Sequence, residues 1–262
     1  MITSDQVTVV IPCFNSRGYV TRAVESVLNQ TSKPGKILLV DDDSNDGTFD
    51  LLLQIQRGNL HQNIVIVKNF HNLGPGLSRN HGWDMSETDW IAFLDADDAW
   101  HPRKLEIQIQ VLNENPDLTM ICTQTKYTDS TEKEIENVEN FALTRLSFQD
   151  LLFKNVVPTR SVLLRREITL RFPSGLSEDY ALWLEALHLG MHFGKVEAPL
   201  TFHFRKDFSA GGVSSALLKH ELFELKRLSR YLSNYPIRTS LAILFSLLKF
   251  IRRVLIRFLR MR

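Results

Sequence analysis

The sequence predicts an α/β protein: a mostly parallel sheet flanked by helices, followed by an amphipathic helical tail. Three observations predict it. Across the first 125 residues, short apolar runs alternate four times with segments of helical period, the pattern of a parallel sheet with helices on both faces. Two of those runs end directly in clusters of aspartate. The last acidic residue is Glu224, and ten basic residues follow it in a segment of helical spacing.

The elements follow in order. Val7 to Pro12 reads as a buried strand, and Val20, Ala23, Val24, Val27 and Leu28 recur at helical spacing. Ile37 to Val40 is a second strand, running into Asp41, Asp42 and Asp43. Thr48 to Gln56 can form a helix, with Ser44 or Asn45 as its N-cap. Ile64 to Val67 is a third strand and Pro75 to Met85 a third helix. Trp90 to Leu94 is a fourth strand, followed by Asp95, Asp97 and Asp98, and Pro102 suits the first turn of a helix through Leu112. From Tyr127 to Leu146 the pattern fails, which predicts a loop or irregular insertion. Regularity returns at Phe148 to Phe153, then a strand at Ser161 to Leu164 and a helix from about Ser177 to Leu189. Two short strands, His192 to Val196 and Leu200 to Phe204, precede a helical remainder interrupted at Pro236.

Composition narrows the class. The chain has 262 residues, 44% of them hydrophobic and 23% charged, which is too apolar and too evenly charged for a disordered chain. Twelve Gly and nine Pro exclude a fibrous one. Cys13 and Cys122 cannot make a disulfide framework and have no metal-ligand spacing, so a reducing compartment is expected. The net charge of +1 conceals an asymmetry: residues 1–224 hold 21 of the 31 basic residues against all 30 acidic ones. An acidic body therefore carries a basic tail, which suggests an anionic partner for the tail. The N-terminus has no charged lead before an apolar run, so no signal peptide is expected. Leu241 to Leu248 is about half of the roughly 20 residues needed to cross a bilayer, so no transmembrane span is expected either.

The aspartate clusters carry the chemistry. In open α/β sheets, ligands bind outside the carboxyl ends of the strands, where both clusters fall. Three carboxylates within Asp95 to Asp98 repel one another unless a positive group sits among them, and Mg²⁺ or Mn²⁺ bound with phosphate oxygens meets that need. The plainer reading, an acidic turn ahead of the helix at Pro102, accounts for one aspartate better than for three. In Asp41 to Gly47, a strand-to-helix turn explains Ser-Asn-Asp-Gly but not Asp41, whose carboxylate at the strand end can accept hydrogen bonds from a nucleobase or ribose. No Gly-rich phosphate loop and no serine or cysteine nucleophile arrangement occurs.

Four blocks in order carry a resemblance: Ile11-Pro-Cys-Phe-Asn15, Val40-Asp-Asp-Asp-Ser-Asn-Asp-Gly47, Asn72-Leu-Gly-Pro-Gly-Leu-Ser-Arg-Asn-His-Gly82 and Phe93-Leu-Asp-Ala-Asp-Asp98. Together they resemble the inverting glycosyltransferases of family 2, strongly over residues 7–115 and more weakly to about 205. The resemblance implies a GT-A fold, Rossmann-like in its sheet, and a nucleotide-sugar donor, usually a UDP-sugar. It implies that Asp41 contacts the uracil, with Pro12, Phe14 and Asn15 lining the base and ribose site. Asp95 would lie near the ribose or sugar, Asp97 would hold a Mn²⁺ or Mg²⁺ bridging the diphosphate, and Asp98 is a neighbouring sugar or metal contact. Arg79 would face the diphosphate or donor sugar, where a planar guanidinium fork matches phosphate oxygens. Two departures stand out: Asp43 replaces a glycine usual in the turn, and Phe14 a common tyrosine.

The same resemblance extends to Ser177-Glu178-Asp179-Tyr180-Ala-Leu-Trp183, a Glu-Asp pair ahead of a tryptophan-bearing helix. It makes Asp179 the general base for the acceptor hydroxyl and Glu178 a sugar or acceptor contact. The plainer reading is a helix start, since acids in a first turn suit the dipole. Arg205 falls where an aromatic-Arg segment can reach the diphosphate, although Asp207 stands in place of the family's histidine. Ser209 to Ser215 suits a lid or a plain loop. The expected domains are a glycosyltransferase domain over 1–215, divided into a donor-binding half (1–115) and an acceptor and catalytic half (116–215), and a helical basic tail over 216–262.

In that tail Lys249, Arg252, Arg253, Arg257 and Arg260 share one helical face, and Leu244, Leu247, Leu248, Ile251, Val254, Leu255 and Phe258 populate the other. Such a helix suits an anionic membrane surface; the alternative is packing on the domain or on a second copy as a homodimer. Nucleic acid is not expected, because the body is acidic and stacking residues are sparse in the tail. The resulting expectation is a metal-dependent inverting glycosyltransferase, cytoplasmic and peripheral on the inner face of the cell membrane, acting on a lipid-linked or saccharide acceptor in cell-surface polysaccharide or glycolipid assembly. A sugar-phosphate nucleotidyltransferase and a non-enzymatic nucleotide-sugar-binding membrane protein are the alternatives.

Overall fold

A computed structural model describes residues 1–129, 138–204 and 214–260. Strand β1 (Val7–Cys13) is flanked by β2 (Lys36–Asp41) and β4 (Trp90–Phe93), and β3 (Ile64–Lys68) lies beyond β2, all four parallel. β8 (Leu163–Arg165) then runs antiparallel between β4 and β6 (Met120–Tyr127), and β9 (Phe193–His203) returns parallel to β6. The two-residue β5 (Ala99–Trp100) and β7 (Leu143–Leu146) both pair antiparallel with β9. The order β3-β2-β1-β4-β8-β6-β9-β5 reverses direction between β1 and β4, which makes the carboxyl ends of those strands the binding edge of such a sheet.

The continuous burial of β1, β2 and β4 is what a strand covered on both faces requires. Alternate residues serve opposite cores. Val9, Ile11 and Leu39 join one core with α1 (Val20–Leu28), α2 (Thr48–Gly58) and α4 (Lys104–Glu114). Val10, Leu38 and Val40 join the other with α3 (Pro75–Asp84), α5 (Phe148–Leu152) and α6 (Glu178–His188). Gly82 lets α3 lie close to the sheet, since a Cβ there would stand 2.4 Å from Val10 Cγ1. The helical pair α7 (Ser214–Ser229) and α8 (Pro236–Arg260) packs on this second side, with Leu228, Tyr231 and Ala242 in its core.

Four sequence-based expectations shift. The two strands expected, His192 to Val196 and Leu200 to Phe204, are one, β9: it carries extra residues on either side of Pro199, which stands opposite Gln124 of β6, and the ladder resumes with Thr201 opposite Thr125. β6 and β7 have no counterpart in the sequence-based reading, and β7 lies within the stretch read as irregular. The helix expected from Pro102 starts at Lys104. The cap of α2 is Gly47, not Ser44 or Asn45. Those two residues are drawn to another loop: Ser44 Oγ accepts the Asn15 amide (3.1 Å) and the Asn45 amide donates to Asn15 Oδ1 (3.0 Å). Asp46 Oδ1 accepts the Thr48 amide instead (2.9 Å).

Candidate active site

The carboxyl ends of β1, β2 and β4 gather the aspartates. Asp43 has φ of +63°, so the turn keeps the left-handed conformation that a glycine would supply, and aspartate is among the few residues that tolerate it. Asp41 is fully buried; its Oδ2 takes a long bond from the Ser44 amide (3.4 Å), and its Oδ1 has no hydrogen-bond partner. Burial raises its pKa above the usual carboxylate value, against the hydrogen bonds of Ser44 and the charge of Lys68. Asp42 is a structural tie that the sequence did not reveal. Its Oδ1 accepts Asn69 Nδ2 (2.7 Å) and the Leu73 amide (2.9 Å), and its Oδ2 accepts the Gly74 amide (2.8 Å). It thereby pins the start of α3 against β2. Pro12, Phe14, Asp42, Asn72 and Pro75 line a crevice of about 150 Å³ at this edge. Asn15, next in the chain after Phe14, has φ of +46° and is not among the lining residues.

The neighbouring cleft, about 690 Å³, is lined by Arg79, Asp95, Arg160, Glu178, Asp179 and Lys195 among others. Arg79 on α3 is buried and forks: Nη2 lies 2.5 Å from Asp95 Oδ1 and Nη1 3.4 Å from Glu178 Oε1. Burial opposes the Arg79 charge, but Asp95 and Glu178 outweigh it and hold the guanidinium protonated. Burial likewise favours a neutral Asp95, yet Arg79 and Arg160 outweigh it and keep this carboxyl below its usual range. Asp98 Oδ2 lies 3.0 Å from Arg160 Nε without hydrogen-bond alignment, and Asp98 Oδ1 lies 3.0 Å from His203 Nδ1. Burial pushes Asp98 up to about 7 despite Arg160, with Asp95 and Asp97 adding to the rise. Arg160 has no signal in the sequence: it lies more than sixty residues from the aspartates and reaches them only because β8 pairs with β4.

Asp97 is half-buried, and its carbonyl accepts Arg22 Nη2 at 2.5 Å. Among the described residues, no group of three His, Cys, Asp or Glu side chains is placed to hold a metal by itself. Mg²⁺-type sites commonly use only one or two carboxylates, with substrate phosphates and water completing the shell. Asp95 is already engaged by two arginines, so the donor set fits a cation held by Asp97 together with a ligand's phosphates.

Asp179 sits in the first turn of α6, two residues after Ser177, whose φ is +51°. Its Oδ2 accepts Asn155 Nδ2 (3.0 Å) and Thr159 Oγ1 (3.2 Å), and its Oδ1 accepts the Tyr180 amide (2.7 Å). A carboxylate has about four lone-pair directions, so three donors orient it and leave one open. Burial, with Asp179 and Asp95 adding, pushes Glu178 above its ordinary value against the pull of Arg79. The structure thus brings Arg79, Asp95, Glu178 and Asp179 to one cleft and places Pro12 and Phe14 at the adjoining crevice. Asp41 and Asp98 lie beneath the surface. Arg205, Asp207 and most of the expected lid fall outside the described residues.

An α/β sheet with carboxylates gathered at its switch point defines a ligand-binding class, and the comparisons narrow it. The chain belongs to glycosyl transferase family 2, whose model matches residues 8–170. A glycosyltransferase described for teichuronic acid biosynthesis, TuaG of Bacillus subtilis, is 28% identical over 82% of this chain and 79% of its own length. WfaP of Escherichia coli, described as a UDP-Glc:α-D-GlcNAc-diphosphoundecaprenol β-1,3-glucosyltransferase, is 28% identical over 88% of this chain and 87% of its own. In fold the chain is similar to the mannosyltransferase PcManGT of Pyrobaculum calidifontis, solved with GDP-Man and Mn²⁺. The TM-score is 0.67, with 13% identity over 92% of this chain and 72% of that one. The expected transferase class and GT-A fold are therefore established, with one relative described for teichuronic acid biosynthesis.

Proposed function

We propose that the protein is a metal-dependent inverting glycosyltransferase that moves a sugar from a UDP-sugar to a hydroxyl of a lipid-linked saccharide. The observation that carries the reading is the Arg79 fork, which joins the aspartate edge of β4 to the turn bearing Asp179 inside one cleft. The UDP-Glc and diphosphoundecaprenol in the description of WfaP support the donor and acceptor classes.

Pro12 and Phe14 offer apolar surface for the base, and the unspent Oδ1 of Asp41 suits a donor N–H of uracil once the covering turn yields. Arg79 would meet the diphosphate, and so, by the family resemblance, would Arg205, which follows β9 in the sequence. Asp97 would hold Mn²⁺ or Mg²⁺, which when bound would offset charge on the leaving diphosphate. The Mn²⁺ of the similar mannosyltransferase structure supports this assignment. Asp95, fixed by Arg79 and Arg160, frames the donor sugar, backed by Asp98, which Arg160 and His203 hold. Glu178 holds the sugar or acceptor. Asp179 takes the acceptor proton on its open Oδ1 lone pair as the hydroxyl oxygen bonds the anomeric carbon and the bond to the diphosphate breaks. A single displacement of this kind inverts the anomeric centre.

The tail supports attachment to a membrane surface. In α8 the residues turned inward are small or polar, Thr239, Ala242 and Ser246, whereas Ile237, Leu241, Leu244, Leu248 and Ile251 are exposed. Apart from Ile243, which packs on the second core, and Phe245, which meets Phe153, the helix therefore leaves large apolar residues exposed beside a concentration of basic residues, as interfacial helices do. No described helix is long and apolar enough to cross a membrane.

The test is release of nucleoside diphosphate from a panel of UDP- and GDP-sugars with undecaprenyl-diphosphate saccharides, with Mn²⁺ or EDTA. Metal-dependent turnover of a UDP-sugar, abolished in Asp179→Asn, is expected. Equal release by wild type and Asp179→Asn sinks the base assignment, and undiminished turnover in EDTA sinks the metal.

A further inference from the structure

We propose that Arg227, in α7, is a positioning residue for Asp179, so that the α7–α8 pair is part of the catalytic apparatus as well as the tail. The inference rests on Asp179 being the base and adds what holds it in place.

By composition Arg227 belongs to the basic tail, where a solvent- or lipid-facing charge would be expected. It is instead 7% exposed. Its Nη1 donates to the carbonyl oxygen of Ser177, the residue immediately before Glu178 and Asp179. That oxygen is also the acceptor for the first backbone bond of α6, from the Ala181 amide (3.2 Å). A guanidinium is rarely buried without partners, and here the partner is the cap of the helix that presents the base. Ser177 occupies the left-handed region at φ of +51°, a conformation that a non-glycine residue keeps only where its surroundings impose it. The guanidinium also faces charge of the right sign: burial lowers its proton affinity, but Glu178 and Asp179 act to raise it.

The rest of α7 is fastened on both sides. Tyr231, just beyond its end, donates through Oη to Glu185 Oε2 on α6 (2.8 Å). On the other side, Ser246 Oγ of α8 lies within hydrogen-bond distance of Glu221 (2.8 Å) and Glu224 (3.1 Å), and its one O–H is shared between them. Arg227 is thus held by a helix pair that grips α6 at its middle and at its first turn. Loss of the guanidinium frees the Ser177 carbonyl and lets the turn move, and a shift of about 1 Å in a reacting group can cost about a hundredfold in rate. The donor edge at β1, β2 and β4 is untouched by this change, so donor affinity has no reason to fall.

The experiment uses the full-length chain with Arg227→Gln and Arg227→Lys, measuring steady-state transfer, UDP affinity by calorimetry and hydrogen exchange at the Ala181 amide. For Arg227→Gln the expected result is a fall in kcat of about ten- to a hundredfold. KM for the donor and Kd for UDP stay within about twofold, and Ala181 exchanges faster. Lysine, which retains a donor, recovers part of kcat. Unchanged Ala181 exchange, or wild-type kcat in Arg227→Gln, overturns the proposal, as does a parallel loss of kcat and UDP affinity in both variants. Absence of transfer by the wild type would instead overturn the proposed function, and the Ala181 exchange would still decide whether the brace exists.

Discussion

Arg79 Nη2 stands 2.5 Å from Asp95 Oδ1, a pair formed by the middle of α3 and the end of β4 that ties the helix to the sheet edge. Removing one partner of a buried pair leaves the other without its counter-charge. Arg79→Ala is expected to lower stability by about 3 kcal/mol in urea titration. Arg79→Lys keeps the charge but loses the fork to Glu178, so it should hold most of the stability while transfer falls at least about tenfold. Equal stability of Arg79→Ala and wild type would show that the pair contributes nothing.

Gly76 sets the approach of α3 to α6. A Cβ there would meet Glu178 Cγ at 2.5 Å and Phe172 Cβ at 3.3 Å. Gly76→Ala should therefore displace Glu178 and lower turnover about ten- to a hundredfold. Its melting transition should remain cooperative, because the sheet and the first core are untouched and the second is met only at Phe172.

Asp42 is expected to matter for the shape of the donor edge. Asp42→Ala leaves the Asn69 side chain and the Leu73 and Gly74 amides without their acceptor, at about 1–3 kcal/mol for each buried group left unpaired. Urea unfolding should show the loss, and UDP affinity should fall with it. Asp42→Asn, which keeps one acceptor oxygen, should lie between.

Burial pushes the thiols of Cys13 and Cys122 up to about 12. The thiolate is the reactive form, so at pH 8 only about one part in 10⁴ is available. Both thiols should react with Ellman's reagent far more slowly in the native chain than in guanidinium. The folded chain holds these two protons more tightly than the unfolded chain, whose thiols titrate near 9. Their contribution to stability is therefore full below about pH 9 and is lost as pH rises towards 12. Replacing both with serine should flatten that alkaline loss.

Leu241 and Leu248 are exposed on α8. The double change Leu241→Gln, Leu248→Gln should leave stability within about 0.5 kcal/mol, since neither side chain is packed. Binding to vesicles containing anionic lipid should fall severalfold in sedimentation, and truncation after Tyr235 should abolish it. Unchanged binding in both would remove the membrane role of the tail.

Much of the architecture was legible in the chain. Strands covered on both faces need continuous apolar runs, and helices need period 3.6, so β1 to β4 and their helices could be read directly. β9 was expected as two strands, whereas it runs as one through a bulge around Pro199, because its pairing with β6, more than seventy residues away, continues on both sides of that bulge. Ser44 and Asn45 were read as caps because capping is local, but Asn15 claims both. The tail's amphipathic spacing was also legible. Which face turns inward was not, because packing against α7 selects the small residues Ala242 and Ser246 over the large ones.

The sequence by itself determined the alternation of strands and helices, the aspartates at strand ends, the acidic pair heading α6 and the separation of a basic tail from an acidic body. These are properties of neighbours along the chain, governed by periodicity, turn chemistry and charge. Tertiary structure alone decided that Asp42 is a tie while Asp41 keeps a free acceptor atom, and that Arg79 and Arg160 converge on Asp95. It also decided that Arg227 leaves the tail's basic face for the Ser177 carbonyl. A buried charge takes whichever partner the packing of distant elements brings within hydrogen-bond reach, and no local pattern encodes that choice.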